Sequence, residues 1–403
     1  MLTFAESQER LAALDAGTRA LRTQKIPLAD ALGRVLSADV AIDQDQPGFD
    51  RATMDGFAVV PDGGSTYRIV GTLLAGQMFD SELTPGSGVR IMTGAPAPAD
   101  TTVVPIESAE GFTEGDAKVE LSEPPPPRKH IAWRGEDARQ GDVLVARGTR
   151  LAPAHLSVAA MAGANAVEVF QRPRIGVVTT GDEVGGAGAA GIRDSNGPLL
   201  DGIMAAIGAS VERRHARDDS DALEAALRSA AEATDVVVTT GGVSMGTHDL
   251  VPQTLSALGF ETVFHRVQVQ PGKPVLVAQR TDGSLFVGLP GNPVSVLATA
   301  HLFLLPAIGS LLGGWRPTSL ELPMSEDWVH RGKRHLFLPA RIEDRGVRPM
   351  RWNGSGDLIA AAAADGLVEF PVGATLRAGD PVRFMPYLGH ALQERAILPE
   401  RSR

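Results

Sequence analysis

The chain has 403 residues and no cysteine. Disulfides, thiolate metal ligands and a cysteine nucleophile are therefore excluded, and a reducing compartment suits the composition. Positive charge is in deficit: 38 Lys and Arg face 48 Asp and Glu, a net charge of −10, which argues against a general nucleic-acid binder. No long apolar run exists. The longest, 302–312, is about half a membrane span and contains Pro306. The N-terminus is charged and lacks an apolar signal core. No Ser/His/Asp sequence pattern marks a hydrolase. A cytoplasmic protein with no membrane span and no nucleic-acid partner is expected. At this length it should divide into two to four domains.

What is present centres on 174–300. Val-Val-Thr-Thr-Gly occurs twice, from Val177 and from Val237. Each copy is a β-branched run ending in small residues, the pattern of a buried parallel strand that stops at a loop. Between them Ser220 precedes an Ala/Leu-rich stretch, 221–233, which reads as a helix capped by that serine. Strand, helix and strand imply a βαβ unit whose carboxyl ends line one crevice.

Before this centre, Thr3 and Glu6 have capping-box spacing for a first helix, and Pro27 opens a second expected to run to about Leu36. Short β runs follow at 67–70, 89–92, 102–106 and 118–121, ending at a tetraproline, 124–127, whose plain reading is a spacer. A return segment then carries Arg134-Gly135-Glu136-Asp137 and a helix near 155–162. After Gly313-Gly314, strands at 336–342, 367–370 and 381–384 suggest a small barrel or sandwich. The expected fold class is multidomain α/β plus β. An N-terminal helical, dimerising part (1–46 and 134–172) encloses an inserted β domain (47–133). A central parallel-sheet α/β domain (173–313) and a C-terminal β-barrel-like domain (314–403) follow.

Candidate site residues cluster in loops of the central domain. Thr180-Gly181-Asp182-Glu183 ends the first twin strand, and Gly241-Gly242-Val243-Ser244 ends the second, with Asp249 beyond it. Acids there can be merely solvated. Paired on twin strands, Glu183 and Asp249 point to a magnesium–phosphate site. Asp194-Ser195-Asn196 is either an N-cap or a set of donors and acceptors for a polar heterocycle. Asp219 fits a turn equally well. Lys273, between Pro271 and Pro274, is a surface lysine or a pre-set oxyanion ligand. Pro290 and Pro293 stiffen the loop before a long apolar helix. His155, His215 and His301 stand singly and read as structural.

Taken together, Met54-Asp55-Gly56-Phe57-Ala58, the segments just quoted, Pro271-Gly272-Lys273-Pro274 and Gly288-Leu289-Pro290-Gly291-Asn292-Pro293 resemble the molybdopterin molybdenumtransferases, bacterial MoeA and the gephyrin E-domain. The motifs keep the family's order over nearly the whole chain, and the set is specific where no single one is. The resemblance implies an elongated homodimer with a MogA-like central domain. It also implies Mg²⁺-dependent insertion of molybdate into adenylated molybdopterin with release of AMP. Catalytic roles then fall to Asp55, Asp137, Glu183, Asp219 and Asp249, with Glu183 and Asp249 holding the metal. Substrate binding falls to Thr180, Gly181, Asp194, Ser195, Asn196, Gly241, Gly242, Ser244, Pro290 and Pro293, and molybdate to Lys273, Arg341 and Ser355. The implied dimer closes each crevice with the partner's β domain, so Asp55 is expected to act in trans. A molybdopterin adenylyltransferase and molybdoenzyme chaperones are further implied partners. Two positions depart from the family pattern: Gln270, often lysine there, and Ala52 in place of serine.

Two other enzymatic readings stand beside insertion. The central domain alone also resembles molybdopterin adenylyltransferases, and the departure at Gln270 admits a tungstate-preferring paralogue. A scaffold is the non-enzymatic alternative, but no long disordered linker is visible in the sequence.

Overall fold

The computed structural model describes residues 1–389, except 15–21, 110–112, 114, 116, 183, 185–190, 218 and 243–249. Two compact units result. One comprises Met1–Ala38, Arg147–Ala152 and the chain from Ala166 onward; the other comprises Asp39–Ala146 and Pro153–Asn165.

In the first unit a six-stranded sheet forms the centre. Its order is Ser210–Ala216, Arg174–Thr180, Val236–Thr240, Leu285–Leu289, Leu276–Arg280, Phe260–His265. The first four run parallel, and Leu276–Arg280 is antiparallel to both its neighbours, Leu285–Leu289 and Phe260–His265. The two Val-Val-Thr-Thr strands are direct neighbours, with Val177 opposite Val238 and Thr179 opposite Thr240. Both are buried throughout apart from Arg174, as a sheet covered on both faces requires. The helix between them spans Ser220–Ala233, and its cap is Asp219, not Ser220. Asp219 Oδ1 accepts from the N–H groups of Asp221 and Ala222 at 3.1 and 2.9 Å.

The expected capping box forms: Thr3 Oγ1 accepts from Glu6 N at 3.2 Å and Glu6 Oε2 from Thr3 N at 2.7 Å. The helix Phe4–Ala12 does find neighbours within its own chain. Phe4 packs on Phe303 and Phe337 at centroid distances of 6.2 and 4.9 Å. The second expected helix does not form. Thr23–Pro27 is a strand paired antiparallel with Ala166–Phe170, and only a 3-10 turn, Leu28–Asp30, follows. Gly33 sits at φ 72° and its N–H goes to the Leu151 carbonyl, 2.8 Å away. That turn ends any helix and commits Val35 and Leu36 to pairing with 149–151.

The long apolar helix runs from Pro293 to Leu311 and is 94% buried, although by length and composition it could cross a membrane. It is the core helix of this unit. Residues Ala300–Leu304 widen into a π turn. Pro306 cannot donate to the Leu302 carbonyl, which instead accepts from Gln8 Nε2 at 3.0 Å.

His301 is buried in that turn. Its Nε2 accepts from Leu388 N at 3.0 Å, so Nδ1 carries the proton and donates to the Leu297 carbonyl at 2.8 Å. Burial holds its pKa below the usual histidine value, slightly offset by that carbonyl. A depressed folded-state pKa leaves His301 neutral where the unfolded chain, near 6.5, takes up a proton. Stability should therefore be full above about pH 6.5 and fall below it, by at most about 1.4 kcal/mol per pH unit from this group. Urea midpoints at pH 7.5 and 5.5 check this: His301→Gln should flatten the difference, and equal slopes in both proteins would contradict it.

The C-terminal sheet runs Val269–Gln270, His335–Glu343, Gly366–Phe370, Pro381–Pro386, Leu320–Pro323, with Gly346–Pro349 also pairing to His335–Glu343. The three expected strands are all there. Val269–Gln270 joins it in parallel register, Val269 opposite His335. A two-residue segment of the central part thus belongs to the C-terminal sheet.

The second unit holds a five-stranded sheet ordered Thr102–Pro105, Gly56–Val59, Ser87–Ile91, Thr66–Leu73, Lys118–Glu120. Gly56 is obligatory, because a Cβ there would overlap the Val104 carbonyl. The tetraproline is more than a spacer: Thr102 Oγ1 donates to the Pro126 carbonyl at 2.8 Å and accepts from Lys129 N at 2.9 Å.

Candidate functional site

At the carboxyl ends of the twin strands the backbone turns through glycine. Gly181, Gly241 and Gly242 have φ of 121°, 91° and 68°. A Cβ on Gly241 would stand 2.8 Å from Thr180 Oγ1, and one on Gly291 would stand 3.9 Å from Gly241 Cα. Bare backbone from three loops therefore lines one crevice, the arrangement that lets N–H groups approach an anion.

Asn196 opens the helix Asn196–Ala206 and reaches across the crevice. Its Nδ2 donates to the Gly291 carbonyl at 2.8 Å. Its Oδ1 is buried and has no hydrogen-bond partner among the described residues. An amide oxygen so placed costs free energy until a ligand donor reaches it. Ser195 is the N-cap by position but makes no capping bond. Asp194 does the structural work: Oδ1 accepts from Gly197 N at 2.9 Å and Oδ2 meets Arg213 Nη2 at 3.0 Å. Of the two readings of this tripeptide, Asp194 takes the cap and Asn196 faces the crevice.

Pro290 is buried, and Pro293 begins the core helix beside it. Asn292 Nδ2 donates to Ser355 Oγ at 2.8 Å, while Val294 N donates to the Ser355 carbonyl at 3.0 Å. Ser355 is thus fixed against the crevice loop, accepting at Oγ with its own proton available to donate.

The loop 270–274 is seated by Gly272, where a Cβ would overlap the Thr299 methyl group of the core helix. Lys273 is exposed on it. Arg341 lies in the strand His335–Glu343, opposite Arg348. Its Nη2 and Nε both donate to the Ala363 carbonyl, at 3.0 and 3.3 Å. The guanidinium at the loop is that of Arg334, with Nη2 3.3 Å from Gln270 Oε1 and Nη1 3.4 Å from the Val269 carbonyl. Sequence reasoning missed Arg334. The signal was its place just before the strand that pairs with Val269.

Glu183, Ser244 and Asp249 lie outside the described residues. Among the described residues no three of His, Cys, Asp and Glu converge as a metal cage. Asp219 is exposed and spends Oδ1 on its helix cap. In the other unit, Asp55 is exposed, and Oδ1 accepts from Thr93 N at 2.7 Å and Thr93 Oγ1 at 2.9 Å. Those bonds hold its pKa below the ordinary carboxylate value. Asp137 is also exposed there, its N–H bonded to the Gln46 carbonyl at 2.9 Å.

Family models match in chain order: MoeA N-terminal region (domain I and II) at 2–163, probable molybdopterin binding domain at 176–310, and MoeA C-terminal region (domain IV) at 321–387. A molybdopterin molybdenumtransferase of Synechococcus elongatus is 33% identical over 379 residues, 89% of this chain and 91% of its own. One of Staphylococcus aureus is 30% identical over 398 residues, 93% of each. The molybdopterin biosynthesis MoeA protein of Pyrococcus horikoshii superposes with a TM-score of 0.78 at 25% identity, over 96% of this chain and 100% of that one. With relatives this similar over nearly its whole length, the chain belongs to the molybdopterin molybdenumtransferase family.

Proposed function

We propose that the chain inserts molybdenum into molybdopterin as a step of molybdenum cofactor biosynthesis, taking adenylated molybdopterin and molybdate and releasing AMP. The observation that carries the reading is the unpartnered, buried Asn196 Oδ1 in a glycine-lined crevice. A pterin ring presents N–H donors on one edge, and Asn196 can accept from one of them. Glycine N–H groups at 181 and 242 suit the phosphate of the adenylate, while the Gly241 N–H is bonded to the Leu289 carbonyl at 3.0 Å. Lys273 and Arg334 supply positive charge for an oxyanion, and Ser355 Oγ supplies a hydroxyl donor. These groups orient the two substrates and offset charge as the two dithiolene sulfurs bond to molybdenum and one molybdate oxygen leaves as water with the two thiol protons.

A divalent cation, Mg²⁺ by resemblance, would polarise the pyrophosphate link. The described residues do not by themselves form a cation site, so no step above passes through it. Its expected carboxylates are Glu183 and Asp249. Homodimeric assembly and a cytoplasmic location belong to the same proposal. Supplying the protein with adenylated molybdopterin and molybdate should yield cofactor that activates an apo-molybdoenzyme. ATP and molybdopterin alone should yield no adenylated product. Adenylation without insertion would overturn the assignment. Asn196→Ala should weaken pterin-substrate binding by about tenfold, the worth of one buried hydrogen bond.

A further inference from the structure

The amino ends of the same strands frame a second cavity, of about 500 Å³. Arg22, Arg172, Arg174, Glu232, Asp235 and Leu312 are among its walls. It lies at the far end of the strand Arg174–Thr180 from the glycine crevice, about 20 Å away at the usual rise per residue.

The charges in it do not cancel. Arg174 is matched by Asp235, with Nη2–Oδ1 at 2.9 Å and the backbone N–H on Oδ2 at 2.8 Å. Arg22 and Arg172 are exposed and pair with no carboxylate among the described residues. Behind Arg172 stands Arg34, half-buried, with Nη2 on the Phe170 carbonyl at 2.7 Å. Burial first, and the charge of Arg172 second, hold the Arg34 guanidinium below its ordinary pKa. Like charges are thus crowded together in a protein whose net charge is −10. Such crowding is unfavourable until an anion enters.

We propose that this cavity binds a phosphate-bearing small molecule, gripped by Arg22 and Arg172. Two guanidiniums without a carboxylate partner, Arg22 and Arg172, line the wall with the open carboxylate of Glu232, and the three terminal oxygens of a phosphate monoester can meet both forks where the two oxygens of a monocarboxylate fill only one. The guanidinium fork also fits phosphate oxygens in pairs. Leu312 offers an apolar wall for the organic part, and Glu232 can accept from a hydroxyl or amine on it. This site is independent of the pterin crevice and does not rest on the insertion reaction.

Calorimetric titration of the full chain with phenyl phosphate, inorganic phosphate and benzoate tests it. Phenyl phosphate should bind saturably, one per chain, and more tightly than the other two. Arg172→Glu and Arg22→Glu should each weaken it tenfold or more, as loss of a charge-assisted pair does. Both side chains are exposed, and an unchanged thermal midpoint verifies that the fold survives. Lys273→Ala should leave this binding intact. The proposal fails if wild type shows no saturable binding or if both charge reversals bind normally. It fails equally if Lys273→Ala alone abolishes binding, which would put the anion in the crevice. A change of oligomeric state in Arg172→Glu, without phosphate binding in wild type, would make the cavity a protein contact and also overturn it.

Discussion

Lys273→Ala should raise the molybdate concentration for half-maximal cofactor formation by about 10- to 100-fold, the worth of one charge-assisted contact to an anion. Arg334→Ala should do the same, because its guanidinium stands over the Gln270–Lys273 loop at 3.3 Å from Gln270 Oε1. Arg341→Ala should change molybdate dependence little. Its Nε and Nη2 both donate to the Ala363 carbonyl, so its loss should appear as lower thermal stability. Pterin-substrate affinity, measured without molybdate, should be unaffected by Lys273→Ala or Arg334→Ala. The pattern separates two assignments. A large molybdate effect at Arg341 with none at Arg334 would restore the assignment by resemblance and remove Arg334 from the site. Gln270→Lys adds a sharper check. It would place a cation against Arg334, so any gain in anion affinity should come with a loss of stability in molybdate-free protein.

The two arginines, Arg334 and Arg341, show where sequence reading reached its limit. Periodicity found the twin strands because Val-Val-Thr-Thr is a local pattern with one stable use, a strand buried on both faces. The Thr3–Glu6 capping box was equally local. Arg334 directly precedes the strand His335–Glu343 and Arg341 lies near its far end, and the register of that strand decides which residue meets the 270 loop. That register comes from Val269–Gln270 crossing into the C-terminal sheet opposite His335 and Leu336, a long-range pairing no window reveals. The helix expected after Pro27 failed for a related reason. Its residues favour helix, yet the strands at 149–151 and Ala166–Phe170 claim the backbone first, and Gly33 turns it away. The Ser220 cap was displaced by one residue because Asp219 accepts two N–H bonds where serine had been expected to take them. Within the site, the glycine loops, Asn196, Pro290 and Pro293 were legible as motifs, and Ser355 only through the resemblance. The unpartnered Oδ1 was not, since burial and partners exist only in three dimensions.

Gly241→Ala should abolish tight binding of the pterin substrate, with affinity lost by about 100-fold. Two effects combine there. The residue sits at φ 91°, and its new Cβ would stand 2.8 Å from Thr180 Oγ1 at the mouth of the crevice. The first effect is backbone strain, about 1–2 kcal/mol for an L-residue in that region. The second pushes Thr180, whose hydroxyl donates to the Thr240 carbonyl at 3.3 Å, and places a methyl group where a ligand phosphate needs bare backbone. A control isolates the strain. Gly379 has φ 93° but open space around its Cβ position, far along the chain from the crevice loops. Gly379→Ala should lower the unfolding free energy by a similar 1–2 kcal/mol and leave substrate affinity at the wild-type value. Denaturant midpoints report the shared strain, and fluorescence titration with the pterin substrate reports the difference. If Gly241→Ala binds that substrate as wild type does, the glycine loop is not its phosphate cradle. If both variants lose affinity equally, the loss is a stability effect, and the crevice must be sought at another edge of the sheet.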